Sequence, residues 1–126
     1  MVARSRNASL VLQRQVFKTA DYTVVTTTDG GKIFASVLDG ISYALPAIAI
    51  GNTFTFLNLA KDGAALINIV VNTGDGITWA GAEDDNKDLL NTKATQRKGD
   101  YATVSSFTAT GTWQIPAIRG IWAKET

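Results

Sequence analysis

ISYALPAIAIGNTFTFLNL, residues 41–59, is the stretch on which the fold turns. Ile41, Tyr43 and Leu45 alternate with small or polar neighbours, and Pro46 then stops the run. After a link of small residues, Gly51 and Asn52 precede a second alternating run, in which Phe54 and Phe56 are interleaved with Thr53 and Thr55. Period-two alternation, a proline stop and a glycine turn predict two short strands joined at a corner. Two phenylalanines, a tyrosine and several aliphatic side chains make this corner the expected centre of the core.

Working outward, residues 22–28 (YTVVTTT) have strand propensity, and Asp29-Gly30-Gly31 reads as a turn. Residues 32–38 (KIFASVL) then predict a return strand, so a hairpin is expected here. On the other side, residues 65–71 form a nearly continuous apolar run rich in branched side chains, as in a strand covered on both faces. Turn residues at 72–76 lead to Ile77-Thr78-Trp79. Residues 81–100 are polar, with Leu89 and Leu90 as their only large apolar anchors, and predict a long surface loop with one helical turn or short strand near 87–91. Alternation resumes at 101–107, and a strand from Thr112 is expected to end at Pro116.

About seven to nine short strands with turn signals roughly every ten residues indicate an all-β protein, a small antiparallel β-sandwich or barrel of the β-tulip or jelly-roll kind. Residues 1–20 form a separate basic arm, expected to be extended, and 21–126 a single β domain. The arm carries Arg4, Arg6, Arg14 and Lys18 with no acidic residue. A solvated terminus and a short amphipathic helix over 10–17 are two readings of it. A third is an arm packed on another protein, since Leu10, Leu12, Val16 and Phe17 are apolar for a free tail.

Composition narrows the chemistry. The 126 residues include no cysteine and no histidine, which removes disulfides, Cys/His zinc sites and Ser-His or Cys-His nucleophile pairs. The net charge of +1 provides no global field for nucleic acid. No apolar run approaches the ~20 residues of a membrane span, and the basic start lacks the apolar core of a secretory signal. The acidic cluster Glu83-Asp84-Asp85-Asn86-Lys87-Asp88 offers oxygen ligands for calcium, but it lacks the alternating order and central glycine of an EF-hand; a solvated loop is the plainer reading. Adjacent acids on one polar loop are poor glycosidase candidates, because neither is desolvated enough to hold a proton at neutral pH. No catalytic, cofactor-binding or metal site is therefore assigned. Trp79, Trp113 and Trp122 offer either a sugar-stacking surface or packing in a core or subunit interface.

An ordered series of short motifs runs along residues 22–123. It comprises Tyr22-Thr23-Val24, Gly31-Lys32-Ile33-Phe34, Tyr43-Ala44-Leu45-Pro46 and Gly51-Asn52-Thr53-Phe54-Thr55-Phe56, then Gly76-Ile77, Gly111-Thr112-Trp113-Gln114-Ile115 and Gly120-Ile121-Trp122. The series resembles small β-rich structural proteins of tailed bacteriophages, among them capsid decoration (cement) proteins that sit as trimers on the head, and related fibre modules. The charged insert at 83–98 and the basic arm depart from that pattern. The resemblance implies binding rather than turnover: a virion protein on the outer capsid surface, a homotrimer with the major capsid protein as partner, and no nucleic acid or membrane. Under it, Arg4, Arg6, Leu10, Leu12, Arg14, Val16, Phe17 and Lys18 would contact the capsid, and Trp79, Trp113 and Trp122 would lie at a subunit interface. The alternative it leaves is a tail-fibre, tailspike or receptor-binding module using Trp79 or Trp122 against a glycan.

Overall fold

The computed structural model of the chain describes residues 15–79 and 86–125. They form a β-sandwich of two mixed sheets with one helical turn. The strands are β1 (Gln15–Phe17), β2 (Tyr22–Thr23), β3 (Ile33–Ser36), β4 (Ile41–Ala44), β5 (Thr53–Asn58) and β6 (Ile67–Val70). There follow β7 (Gly76–Ile77), β8 (Leu89–Asn91), β9 (Asp100–Ser105), β10 (Thr112–Arg119) and β11 (Ala123–Lys124), while α1 covers Thr26–Asp29. One sheet has the order β1-β3-β5-β9-β10-β7 and the other β11-β8-β6-β4-β2.

The all-β sandwich is as the alternation predicts; the pairing is not purely antiparallel. From β1 to β9 the chain changes sheet at every step, so strands adjacent in a sheet are not adjacent in sequence. β1 pairs with β3, and β3 with β5, in parallel; β2 with β4 and β4 with β6 do the same in the facing sheet. The chain thus coils around the core before β8, β9 and β11 add antiparallel pairs. β1, β3, β5 and β10 all start at one end of the sandwich, the leading end, and run toward the trailing end.

The corner in residues 41–59 explains this winding. Leu45 still donates its N–H to Val70 O at 2.8 Å, but Pro46 has no N–H with which to continue the ladder. The chain leaves the sheet there and re-enters the opposite one at Thr53. Both strands turn their alternate side chains inward, and Ile41, Tyr43, Leu45, Phe54 and Phe56 are all buried. Tyr43 and Phe56 meet across the sandwich with ring centroids 4.9 Å apart, and Phe34 lies 5.7 Å from Phe56 and 5.8 Å from Tyr43. Offset and tilted rings at these spacings are favourable aromatic contacts.

The expected hairpin over 22–38 does not form. β2 is only two residues long, α1 follows it, and β3 enters the other sheet. Asp29 causes the turn: its buried carboxylate accepts hydrogen bonds from Val25 N–H at 2.8 Å, the Tyr22 hydroxyl at 2.7 Å and Lys32 Nζ at 3.0 Å. That coordination pulls the threonine run into a helical turn against its strand propensity. Two further expectations are corrected. β6 buries one face, with Ile67 and Ile69 inward and Asn68 and Val70 half-covered, so it is not enclosed on both sides. β10 runs through Pro116, where a register shift between Gln114 and Ala117 accommodates the missing donor as a bulge would. The short strand expected near 87–91 is present as β8.

Buried polar side chains brace the trailing end. Asn58 Nδ2 donates to Asn91 Oδ1 at 2.8 Å, and Asn91 Nδ2 donates to Asp100 Oδ2 at 3.1 Å. Gln96 accepts from Ala64 N–H and donates to Ala60 O, each at 3.0 Å. The asparagine bonds join the ends of β5, β8 and β9 and the glutamine bonds join two loops, which meets the need of buried polar groups for partners.

Asp29 also makes stability depend on pH. Burial pushes its carboxyl up, but the bonds from Val25, Tyr22 and Lys32, with the Lys32 charge, outweigh this and hold it below the ordinary carboxylate value. A depressed folded-state value means that the contribution is complete above the unfolded pKa of ~3.9 and is lost as pH falls through the folded-state value. Urea titrations of the wild type below about pH 4 should therefore show falling stability, with a shallower fall in Asp29→Asn. Parallel pH profiles for the two proteins would disprove this role for Asp29.

Candidate interaction surface

β1 begins the six-stranded sheet, and among the described residues no strand pairs with its outer edge. Its register sets Gln15 beside Ile33, Val16 beside Phe34 and Phe17 beside Ala35. Val16 therefore points inward, half-buried against the core, while Gln15 and Phe17 face outward. Lys18 continues the strand's pairing through its N–H to Ala35 O at 2.8 Å, and its ammonium lies 3.5 Å from the Tyr22 ring centroid. That cation–π contact occupies the charge that the sequence assigned to an outside partner.

On the outer face beside β1 lies a groove of about 290 Å³, walled by Phe17, Ile33, Ala35, Leu57 and Leu59 with Gln15 at its rim. Phe17 is 56% exposed. β5 contributes the far wall because Ala35 pairs with Leu57, which carries the outward row on to Tyr101 of β9. Where a sheet faces water, its outward row is normally polar. Here it is apolar over three adjacent strands, next to an open sheet edge.

Of the eight arm residues expected to contact a partner, Val16, Phe17 and Lys18 are placed as described; Arg4, Arg6, Leu10, Leu12 and Arg14 lie outside the described residues. The three tryptophans do not form an outward cluster. Trp113 is fully buried with its ring centroid 5.8 Å from Phe54, and Trp122 is 5% exposed. Trp79 is half-buried, donating Nε1–H to Trp122 O at 3.1 Å. Their surface is consumed within the subunit, which removes Trp113 and Trp122 as interface residues or glycan platforms. Trp113 is inward because it sits on the core-facing phase of β10, a distinction that tryptophan content alone does not reveal.

The acidic cluster is described only from Asn86 onward. Asn86 Oδ1 accepts Gly74 N–H at 2.8 Å, and the Asp88 carboxylate accepts Val71 N–H and Asn68 Nδ2, each at 3.3 Å. Burial pushes the Asp88 carboxyl above the ordinary carboxylate range, and Glu125 adds to this, while Val71, Asn68 and Lys124 oppose it. Both oxygens hold neighbouring segments together, a structural use for this carboxylate. Among the described residues there is no group of three or more potential metal ligands.

The groove residues Ile33, Ala35, Leu57 and Leu59 were not singled out in the sequence. Their signal is present in KIFAS and FTFLNL, where both phases of the strand carry apolar residues, but periodicity alone does not say what covers the second phase. No protein-family model matches the chain, and no curated protein is significantly similar to it.

Proposed function

We propose that this protein is a structural virion component, a decoration or cement protein that binds the outer capsid surface and clamps neighbouring major capsid subunits, acting as a homotrimer. The resemblance of residues 22–123 to small phage structural proteins motivates this reading, and one structural observation carries it. The basic segment 1–14 joins the domain at Gln15, the first residue of a strand whose outer edge is unpaired among the described residues and which flanks an apolar groove. An unpaired edge can accept a strand from a neighbouring chain, with main-chain bonds for affinity and side-chain pockets for specificity. The groove beside it adds apolar area that such a partner would cover.

The protein acts by binding, adding buried contact across joints that outward pressure on a filled head would open. Arginines in the arm contribute little through exposed ion pairs, ~0–1 kcal/mol each, so the groove and edge carry most of the attachment. The test is addition of purified protein to heads that lack it. Stoichiometric binding, with rupture shifted to higher temperature and greater resistance to chelator, is expected. Heads of equal stability with and without the protein, together with no measurable binding, would overturn the proposal.

A further inference from the structure

β1 is three residues long, and its outer edge is unpaired among the described residues. The apolar part of the sheet's outer face lies along this margin, where Phe17, Ala35 and Leu57 form one row with Ile33 beside it. Farther across, outward positions carry hydroxyls that satisfy one another. Thr55 Oγ1 and Thr103 Oγ1 are 2.8 Å apart, and Thr53 Oγ1 and Ser105 Oγ are 2.9 Å apart. On the core side of the edge, Val16 is half-buried. A strand added beside β1 would meet apolar surface on both faces, the groove on one and Val16 on the other. Such a strand is apolar in both phases.

Residues 10–12 supply a segment of that kind. Leu10-Val11-Leu12 is apolar in both phases, matches β1 in length and is flanked by Ser9 and Gln13.

Turn chemistry argues against its delivery to the edge of its own copy. To lie beside β1 of the same chain, the segment would have to reverse direction at Gln13 and Arg14. Two-residue reversals between paired strands need positive φ, which glycine, asparagine and aspartate supply. The rest of the chain is built that way: the turns into β3, β4, β5, β9 and β10 each hold a glycine at positive φ, from 75° at Gly31 to 103° at Gly111. No glycine precedes Gly30 in the sequence. Delivery to a second copy needs no reversal. Fourteen extended residues reach about 46 Å, more than the ~35 Å across a folded domain of this size.

We infer that residues 10–12 of one copy pair with the outer edge of β1 of a second copy and cover its groove. Each copy gives an arm and receives one, a head-to-tail contact that closes into a ring when the rotation permits. The inference rests on the homotrimer of the proposed function. It names the neighbouring chain at the edge as a second copy and leaves Arg4 and Arg6 to reach the capsid. The edge and groove then serve attachment by holding together capsid contacts that are each weak alone.

The experiment is sedimentation of the full-length protein over a range of concentrations, with Leu10→Ser/Leu12→Ser as the test and Lys61→Glu as the control. Wild type and control should sediment as a three-subunit particle. The test variant should keep the wild-type circular dichroism, since both positions precede β1, and should need about tenfold higher concentration or more to associate. Unchanged association of the test variant overturns the inference and leaves the decoration reading standing. A wild-type monomer throughout the range overturns the inference and the homotrimer together, while binding to undecorated heads decides decoration separately.

The absence of cysteine allows a second measurement that leaves both apolar surfaces intact. In Ser9→Cys/Gln15→Cys, the two positions of one extended arm stand about 20 Å apart, beyond a short bismaleimide. Cross-links between copies that Leu10→Ser/Leu12→Ser abolishes support the inference. A link within one chain assigns the groove to the copy's own arm and refutes it, as does the absence of either product.

Discussion

Truncation of Phe56 to alanine should destabilise the protein by ~3–5 kcal/mol, the range found for large aromatic residues removed from packed cores. Phe56 is fully buried in the six-stranded sheet and touches both layers of the sandwich. Its ring stacks beside Phe34 of its own sheet and meets Tyr43 of the facing sheet. Deleting it removes the transfer free energy of the side chain and leaves a cavity between rigid strands, each pinned by neighbours on both sides. The collapse that would soften such a cavity is therefore restricted. Urea unfolding should show a lower midpoint with an unchanged slope. A loss below about 1 kcal/mol would mean that the aromatic cluster is not the centre of the core.

Gly120→Ala should cost nearly as much, for a different reason. Gly120 follows β10 with φ +94, a backbone conformation unfavourable for a side-chain-bearing residue. An added Cβ would also land on the Asp100 carboxylate. That carboxylate cannot swing away freely, because it accepts Asn91 Nδ2 at 3.1 Å and Arg97 N–H at 2.9 Å within the buried brace of the trailing end. Backbone strain of ~1–2 kcal/mol adds to ~1–3 kcal/mol for disturbing the bonds of a buried polar group, so a loss of ~2–5 kcal/mol is expected. Gly111→Ala separates the two contributions. It has φ +103 but open space around the new methyl group, so it should show the backbone part alone. Equal losses in the two variants would show that contact with Asp100 contributes nothing.

Much of the inward-facing set was legible in the chain. In residues 41–59 every alternate apolar side chain from Ile41 to Leu45, and then Phe54 and Phe56, is buried as its phase predicts. The sheet change at Leu45-Pro46 follows from a missing backbone donor, which is a local property. The hairpin over 22–38 was misread because the deciding interaction is Asp29 with Tyr22, Val25 and Lys32, and strand propensity does not weigh a side chain that reorganises its own backbone. The candidate surface was less legible still. Trp113 and Trp122 drew attention by residue type and proved internal, whereas Phe17, Ala35 and Leu57 lie far apart in the chain and form one outward row only because β1, β3 and β5 pair.

The sequence by itself determined the all-β class, the places where the chain turns, and which side of each corner strand faces the core. These depend on neighbours one or two residues away, where alternation, proline and glycine act directly on the backbone. Only the tertiary structure decided that the strands wind alternately between two sheets, with Gln15 beside Ile33 and Tyr43 beside Ile69. Parallel pairing joins segments separated by a crossing of the core, and no short-range pattern specifies which partner each edge will meet. The same long-range pairing sets Phe17, Ala35 and Leu57 side by side as one wall of the groove.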